Sequence, residues 1–185
     1  MSQDRPTSAV PGVRYGAIVR HVDERGSFGE LWRAGDFPGE VFVQANLSTS
    51  AAGVLRGLHF HRRQDDLWVV ADGRALVALV DVRPILAGSG GAIVETRELL
   101  PDEWVFIPTG VAHGFLALAP LQLIYLVTND YDGSDELGFA WDDPAVGIAW
   151  PAPPGTTDGR PILSGRDAGN PSLTELLVLL RDDAS

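Results

Sequence analysis

The sequence predicts a mostly-β domain, a β-sandwich or small barrel with one C-terminal helix. Seven short segments rich in Val, Ile, Leu and aromatic residues are separated by turn-forming Gly, Pro, Asn and Asp. Only one stretch, near the end, carries apolar residues at helical spacing. At 185 residues, 45% hydrophobic and 21% charged, the chain suits a single core and has no linker in its middle.

Residues 1–14 contain prolines and small polar residues and read as a flexible N-terminal segment, with 15–185 as a single domain. That start has no positive region followed by an apolar run, so no secretory signal is expected and the cytoplasm is the expected location. The strand segments follow in order: YGAIVRHV (15–22), GEVFVQANLS (39–48), GVLRGLHF (53–60), RALVALVDV (74–82), AIVETREL (92–99), EWVFIP (103–108) and LQLIYLVTN (121–129). ADGR, LAGSGG and DYDGSDE supply turns between them. The run ALVALV is apolar on both faces, which predicts either two packed sheets or a sheet buried in a subunit interface, and a homodimer is expected. PAPPGTTDGRP (151–161) reads as a crossover loop. Ser172 then opens a capping box with Glu175, and Leu173, Leu176, Leu177 and Leu180 mark one face of a helix packed on the outside of the sandwich.

Composition removes several classes of function. No apolar run approaches the roughly 18 residues of a membrane span. A formal charge of -11 opposes nucleic acid as a partner, while leaving a phosphorylated small molecule possible where arginines gather. With no cysteine there is no disulfide, thiolate nucleophile or cysteine zinc site, so any metal needs His and carboxylate ligands.

Chemistry concentrates in GVLRGLHFHRRQDDLW (53–68). Alternation along a strand puts His59 and His61 on one face and Phe60 on the other. The spacing H-x-H-x4-D-x6-G from His59 to Gly73, followed by P-x-G-x-x-H ending at His113, resembles the two metal motifs of the cupin superfamily, with Asp66 in place of a glutamate. His59, His61, Asp66 and His113 would then hold a divalent metal such as Fe, Mn, Ni or Zn, which accept nitrogen and oxygen donors together. The alternative puts His61 and Asp66 at a cavity mouth, bonded to each other or to water, with Asp65 solvated.

Read in order, DERGSFGE, VQANLSTSAAGVLRGLHF, IPTGVAHGFLAL, IYLVTNDYDGSDELGFAWDDPAVGIAWP and LSGRDAGNP resemble the dTDP-4-dehydrorhamnose 3,5-epimerase family, from about residue 15 to residue 172. The resemblance implies a cupin-like jelly roll and a cofactor-free epimerase acting on a dTDP-4-keto-6-deoxyhexose at carbon 3, carbon 5 or both. It implies His59 as the base that removes a proton beside the ketone, Asp167 as the carboxylate that orients it, and Tyr125 as the group that returns a proton from the opposite face. A base near neutrality and a phenol suit those roles.

By the same resemblance Gln44, Asn46 and Arg56 bind the nucleotide sugar, and Arg25, Phe28 and Glu30 reach a neighbouring site across a dimer. His113 contacts the sugar or the enolate, or else a metal, and Tyr131 stacks on the thymine. Arg25, Arg56 and Arg166 are the diphosphate candidates, since guanidinium pairs with phosphate oxygens in a bidentate manner, although each alone also reads as a surface ion pair. One departure stands out. The loop after R-G-L-H-F is shorter than in the family, and Asp66 occupies a position where the family has a lysine. An anion there opposes the charge of an enolate unless another group compensates, and Arg62 and Arg63 are the nearest cations in sequence. A metal-dependent cupin enzyme and a sugar-nucleotide binding module without catalysis are the competing readings.

Overall fold

Two five-stranded antiparallel sheets face each other in this computed structural model, which describes residues 7–131 and 133–182. The first sheet runs β1 (Arg14–Ala17), β9 (Glu103–Ile107), β6 (Asp66–Asp72), β11 (Leu121–Val127), β4 (Gln44–Ser50). The second runs β12 (Leu137–Gly138), β5 (Leu55–Phe60), β10 (Val111–Ala117), β7 (Ala75–Asp81), β8 (Ile93–Leu99). A separate hairpin pairs β2 (Arg20–Asp23) with β3 (Gly26–Gly29). No helix among the described residues is long and apolar enough to cross a membrane.

The doubly apolar ALVALV run is explained by layers on both of its sides. Val77 and Leu79 join Trp68, Val105, Phe115 and Leu123 between the sheets. Ala78 and Val80 face outward with Leu58 and Phe60, where they meet Leu173, Leu176 and Leu180 of α3 (Leu173–Asp182). The expected capping box is present: Glu175 Oε2 accepts from the Ser172 N–H and hydroxyl, and Ser172 Oγ accepts from the Glu175 N–H. Asp143 adds a cap by accepting the Leu173 N–H at 2.6 Å.

Several segments differ from the sequence reading. YGAIVRHV breaks after Ala17, where the Ile18 N–H turns to the Asp102 carbonyl, so it supplies parts of both β1 and β2. GEVFVQANLS is strand only from Gln44 onward. β6 and β10 lie outside the seven segments because they are buried on both faces over most of their length and show no alternation.

Part of the N-terminal segment expected to be flexible is outside the described residues, and the rest is docked. Val10 and Val13 belong to the central core. Glu95 on β8 accepts from the Ser8 hydroxyl at 2.7 Å, the Ala9 N–H at 2.6 Å and the Tyr15 hydroxyl at 2.7 Å. These donors win for Glu95: burial pushes its carboxyl up, but the hydrogen bonds bring it below the usual carboxylate range overall.

Because the folded carboxyl is depressed, its contribution to stability is present above the unfolded carboxylate range and is lost as pH falls through the folded value. Glu95→Ala is therefore expected to lower stability by about 1 kcal/mol at neutral pH, the net worth of hydrogen bonds to a partly exposed carboxylate. Chemical denaturation should show the gap to the parent protein closing as the pH is lowered below about 4.

Candidate active site

The polar face of β4 opens the core at one end. Gln44, Asn46 and Ser48 point inward where the other strands of its sheet present apolar residues, and they form one wall of a cavity of about 470 Å³ between the sheets. β11 adds Tyr125, and β5 supplies Arg56 and His59 from the opposing sheet.

Arg56 and His59 are an odd number of positions apart, so strict alternation would turn them to opposite faces. A bulge resolves this: His59 lies opposite His113 but Arg56 lies opposite Phe115, which gives β5 one residue more than β10. Gly57 sits in the bulge at φ 126°, and a Cβ there would come within 2.6 Å of the Gly114 Cα. Only glycine fits this backbone and this approach.

His59 is held from outside the cavity. Its Nε2–H donates to Asp167 Oδ1 at 2.8 Å, which leaves Nδ1 as the ring atom able to accept a proton. Asp167 lies in α2 (Gly165–Ala168), where its N–H donates to Ser164 Oγ at 3.0 Å. The preceding segment is tied to β5 by the parallel bridge between Val54 and Ile162. Burial raises the Asp167 carboxyl, yet the bond to His59 and the Ser164 and Arg166 contacts leave it below the usual range, so it is ionised at neutral pH.

Tyr125 projects from the facing sheet. Burial lifts its phenol above the ordinary value, with Asp66 and Glu136 adding to the shift and Arg56 opposing it. At neutral pH it carries a proton that it can give away. Gln44 donates to Asn46 Oδ1 at 2.9 Å and accepts the Tyr131 N–H at 2.8 Å, which sets the exposed Tyr131 ring at the cavity mouth.

A second polar group lies deeper. His61, Asp66 and His113 each offer a donor atom within 4.8 Å of the others. Asp66 accepts from Gln64 Nε2 at 2.7 Å and Trp68 Nε1 at 3.0 Å. His113 Nδ1–H donates to the Val111 carbonyl at 3.0 Å, and its Nε2 lies 3.6 Å from Asp66 Oδ2. Burial drives the His113 ring down to about 4, against the opposing pull of Asp66.

This placement corrects the expected four-ligand metal set: His59 is engaged by Asp167 and is not part of the His61, Asp66, His113 group. Of the two partners expected for Asp66, His61 or water, His61 is not bonded to it; Gln64 and Trp68 are. Asp65 is not simply solvated, since it accepts from the Thr109 N–H and hydroxyl at 2.6 and 2.9 Å. Arg62 and Arg63 do not line the cavity, and their backbone N–H groups are fixed on the buried Asp135.

Other candidates are drawn into different surroundings. Arg166 pairs with Glu136 and shares a neighbouring hollow with His59 and Asp167. Arg25, Phe28 and Glu30 are on or beside the β2–β3 hairpin, apart from this cavity; Arg25 pairs with Asp23 and Glu30 with Arg33. Glu136 was not anticipated. It lines the cavity with Oε1 3.8 Å from His59 Nδ1, and no periodicity in DYDGSDE distinguishes it from the acids around it.

A family model described as dTDP-4-dehydrorhamnose 3,5-epimerase matches residues 7–175. The chain is 38% identical over 145 residues to the spore coat polysaccharide biosynthesis protein SpsL of Bacillus subtilis, covering 76% of this chain and 96% of that protein. Its fold matches the rmlC epimerase of Mycobacterium tuberculosis with a TM-score of 0.79 at 32% identity, covering 94% of this chain and 90% of that one. A variant of ChmJ, a 3'-monoepimerase from Streptomyces bikiniensis solved with dTDP, also matches with a TM-score of 0.79, at 28% identity and with 94% and 89% coverage. The facing antiparallel sheets are thus the expected cupin-like jelly roll.

The fixed tautomer of His113 has a direct readout. In metal-free protein, long-range ¹H–¹⁵N spectra are expected to show this ring neutral and protonated at Nδ1 down to about pH 5, with protonation only near pH 4. A ring that titrates near 6.5 would contradict the buried placement.

Proposed function

Because the chain belongs to the dTDP-4-dehydrorhamnose 3,5-epimerase family and is a nucleotide-sugar epimerase, we propose that it inverts carbon 3, carbon 5 or both of a dTDP-4-keto-6-deoxyhexose. The observation that carries this reading is that His59 and Tyr125 enter one cavity from facing sheets, with Asp167 bonded to His59 at 2.8 Å. Inversion needs a base on one face of the sugar and an acid on the other.

The ketone acidifies the hydrogens on its neighbouring carbons, and His59 Nδ1 takes one of them as the enolate forms. Asp167 holds the ring orientation and balances the imidazolium charge, as a carboxylate does beside a catalytic histidine elsewhere. Tyr125 returns a proton from the other side, its raised phenol having kept that proton at neutral pH. No electrons are transferred, so this step requires no redox cofactor.

For the nucleotide, the proposal assigns Gln44, Asn46, Arg56, Tyr131 and Arg166 to binding in the same subunit, with His113 facing the sugar. Arg56 stands at the mouth, held by Ser50 Oγ and the Thr49 carbonyl. Arg25, Phe28 and Glu30 would serve the partner of a homodimer. The exposed Val22 and Phe28 of the hairpin, 77% and 70% accessible, support that assignment because an apolar hairpin gains from burial against a second subunit. The proposed setting is the cytoplasm, which the cysteine-free sequence suits.

The test is deuterium incorporation into dTDP-4-keto-6-deoxyglucose in heavy water. Exchange at two carbons identifies a 3,5-epimerase, exchange at one a narrower enzyme, and none overturns the reading. His59→Asn and Asp167→Asn are each expected to slow exchange by about 10²–10⁴-fold. Tyr125→Phe should continue to exchange while inverting poorly, since it removes the acid and leaves the base. For the dimer, Arg25→Ala and His59→Asn subunits should regain activity on mixing, up to about a quarter of the parent level if subunits exchange at random. No regain would place the hairpin outside the site.

A further inference from the structure

His61, Asp66 and His113 have no part in the proton transfers assigned to His59 and Tyr125, yet they are arranged with care. They come from the end of β5, the start of β6 and the middle of β10. Their donor atoms converge on one point of the cavity wall, none more than 4.8 Å from another.

Two acceptors face each other there. The Val111 carbonyl can only accept, so His113 Nδ1 bears the proton and Nε2 presents a lone pair to Asp66 Oδ2 at 3.6 Å. That separation is too long for a hydrogen bond: Oδ2 takes the Trp68 N–H, but the Nε2 lone pair and the carboxylate oxygen still face each other, an arrangement that a cation between them would stabilise. The supporting contacts resemble the outer layer of a metal site: a carbonyl fixes the imidazole tautomer, while Trp68 and Gln64 orient the carboxylate through one oxygen each.

The charge balance points the same way. All fourteen basic residues of the chain are arginine, so no lysine is available to the cavity. Arg56 is the only arginine lining it among the described residues, against the carboxylates of Asp66 and Glu136. Glu136 is already paired with Arg166, whereas Asp66 has no arginine against it among the described residues, so an enolate forming beside Tyr125 would meet the Asp66 charge unless a cation sits there.

We propose that His61, Asp66 and His113 bind one divalent first-row transition-metal cation. Two imidazoles and a carboxylate suit ions such as Zn²⁺, Co²⁺, Ni²⁺ or Mn²⁺, and three protein ligands leave coordination positions open toward the cavity. Bonds of about 2.1 Å require donors roughly 3–3.5 Å apart, so a pair at the 4.8 Å limit closes by about 1.5 Å on binding. Such a movement is within the reach of the half-buried His61 at its strand end. The cation would offset the Asp66 charge next to the proton-transfer pair. The site itself stands independently of which sugar is epimerised.

The test uses untagged full-length protein stripped with chelator, titrated with Zn²⁺ by calorimetry and with Co²⁺ by visible absorption and paramagnetic NMR. The expected result is one equivalent bound, visible Co²⁺ bands, and large shifts of the His61 and His113 ring protons that leave His21 in place. Asp66→Asn and His61→Ala, checked for folding by circular dichroism, should each weaken binding more than 10-fold, and Trp68→Phe by about 10-fold through the freed carboxylate. No binding up to millimolar metal, or binding unchanged in both ligand variants, overturns the proposal. Deuterium exchange on the stripped enzyme separates the two readings: exchange without metal binding sinks the cation site alone, while metal binding without exchange in either form leaves the site standing and removes the epimerase assignment.

Discussion

The contact of β5 with β10 at Gly57 and Gly114 governs the geometry of everything around the cavity. Two backbones approach so closely there that a Cβ on either residue would meet the other strand at under 3 Å. The approach absorbs one extra residue into β5, and that residue changes which side chains face inward. Upstream of the bulge Arg56 points to the cavity mouth, and downstream His59 points to its interior. The strand would otherwise deliver one of them to the helical layer, where Leu58 and Phe60 now pack.

Electrostatics divides the cavity into two halves that share a wall. On one side Asp167 accepts from the His59 ring and Glu136 pairs with Arg166. On the other, among the described residues, Asp66 accepts only from neutral donors and faces a buried, neutral imidazole. The phenol of Tyr125 is raised first by burial, and its place between these halves adds to the shift, since both Asp66 and Glu136 disfavour its ionisation. A tyrosine among core strands is ordinary; this one has, besides burial, two carboxylates within electrostatic reach.

Much of the sandwich was legible because its strands alternate or carry clear turns, as β8 and β11 do, and the helix was legible through Ser172 and Glu175. β6 and β10 were hidden by burial on both faces, which erases the period that identifies a strand. The grouping of His59 with Asp167 is not a matter of spacing, since 108 positions separate them, and only the resemblance of whole blocks pointed to it. Alternation correctly sent His59 and His61 toward one cavity but carried no information on their separate partners. That division arises because β5 ends at Phe60, so His61 leaves the strand and turns to β10 while His59 remains under α2. Glu136 left no trace in the sequence because its role comes from the fold of an irregular acidic loop.

The tie between Val54 and Ile162 also bears on truncation. Asp167 reaches the His59 ring from 108 positions downstream, so a chain cut before it would keep the strands that line the cavity and lose the carboxylate on Nε2. Enclosure and orientation thus have separate sources: the sheets make the space, and the C-terminal segment fixes the ring that faces it.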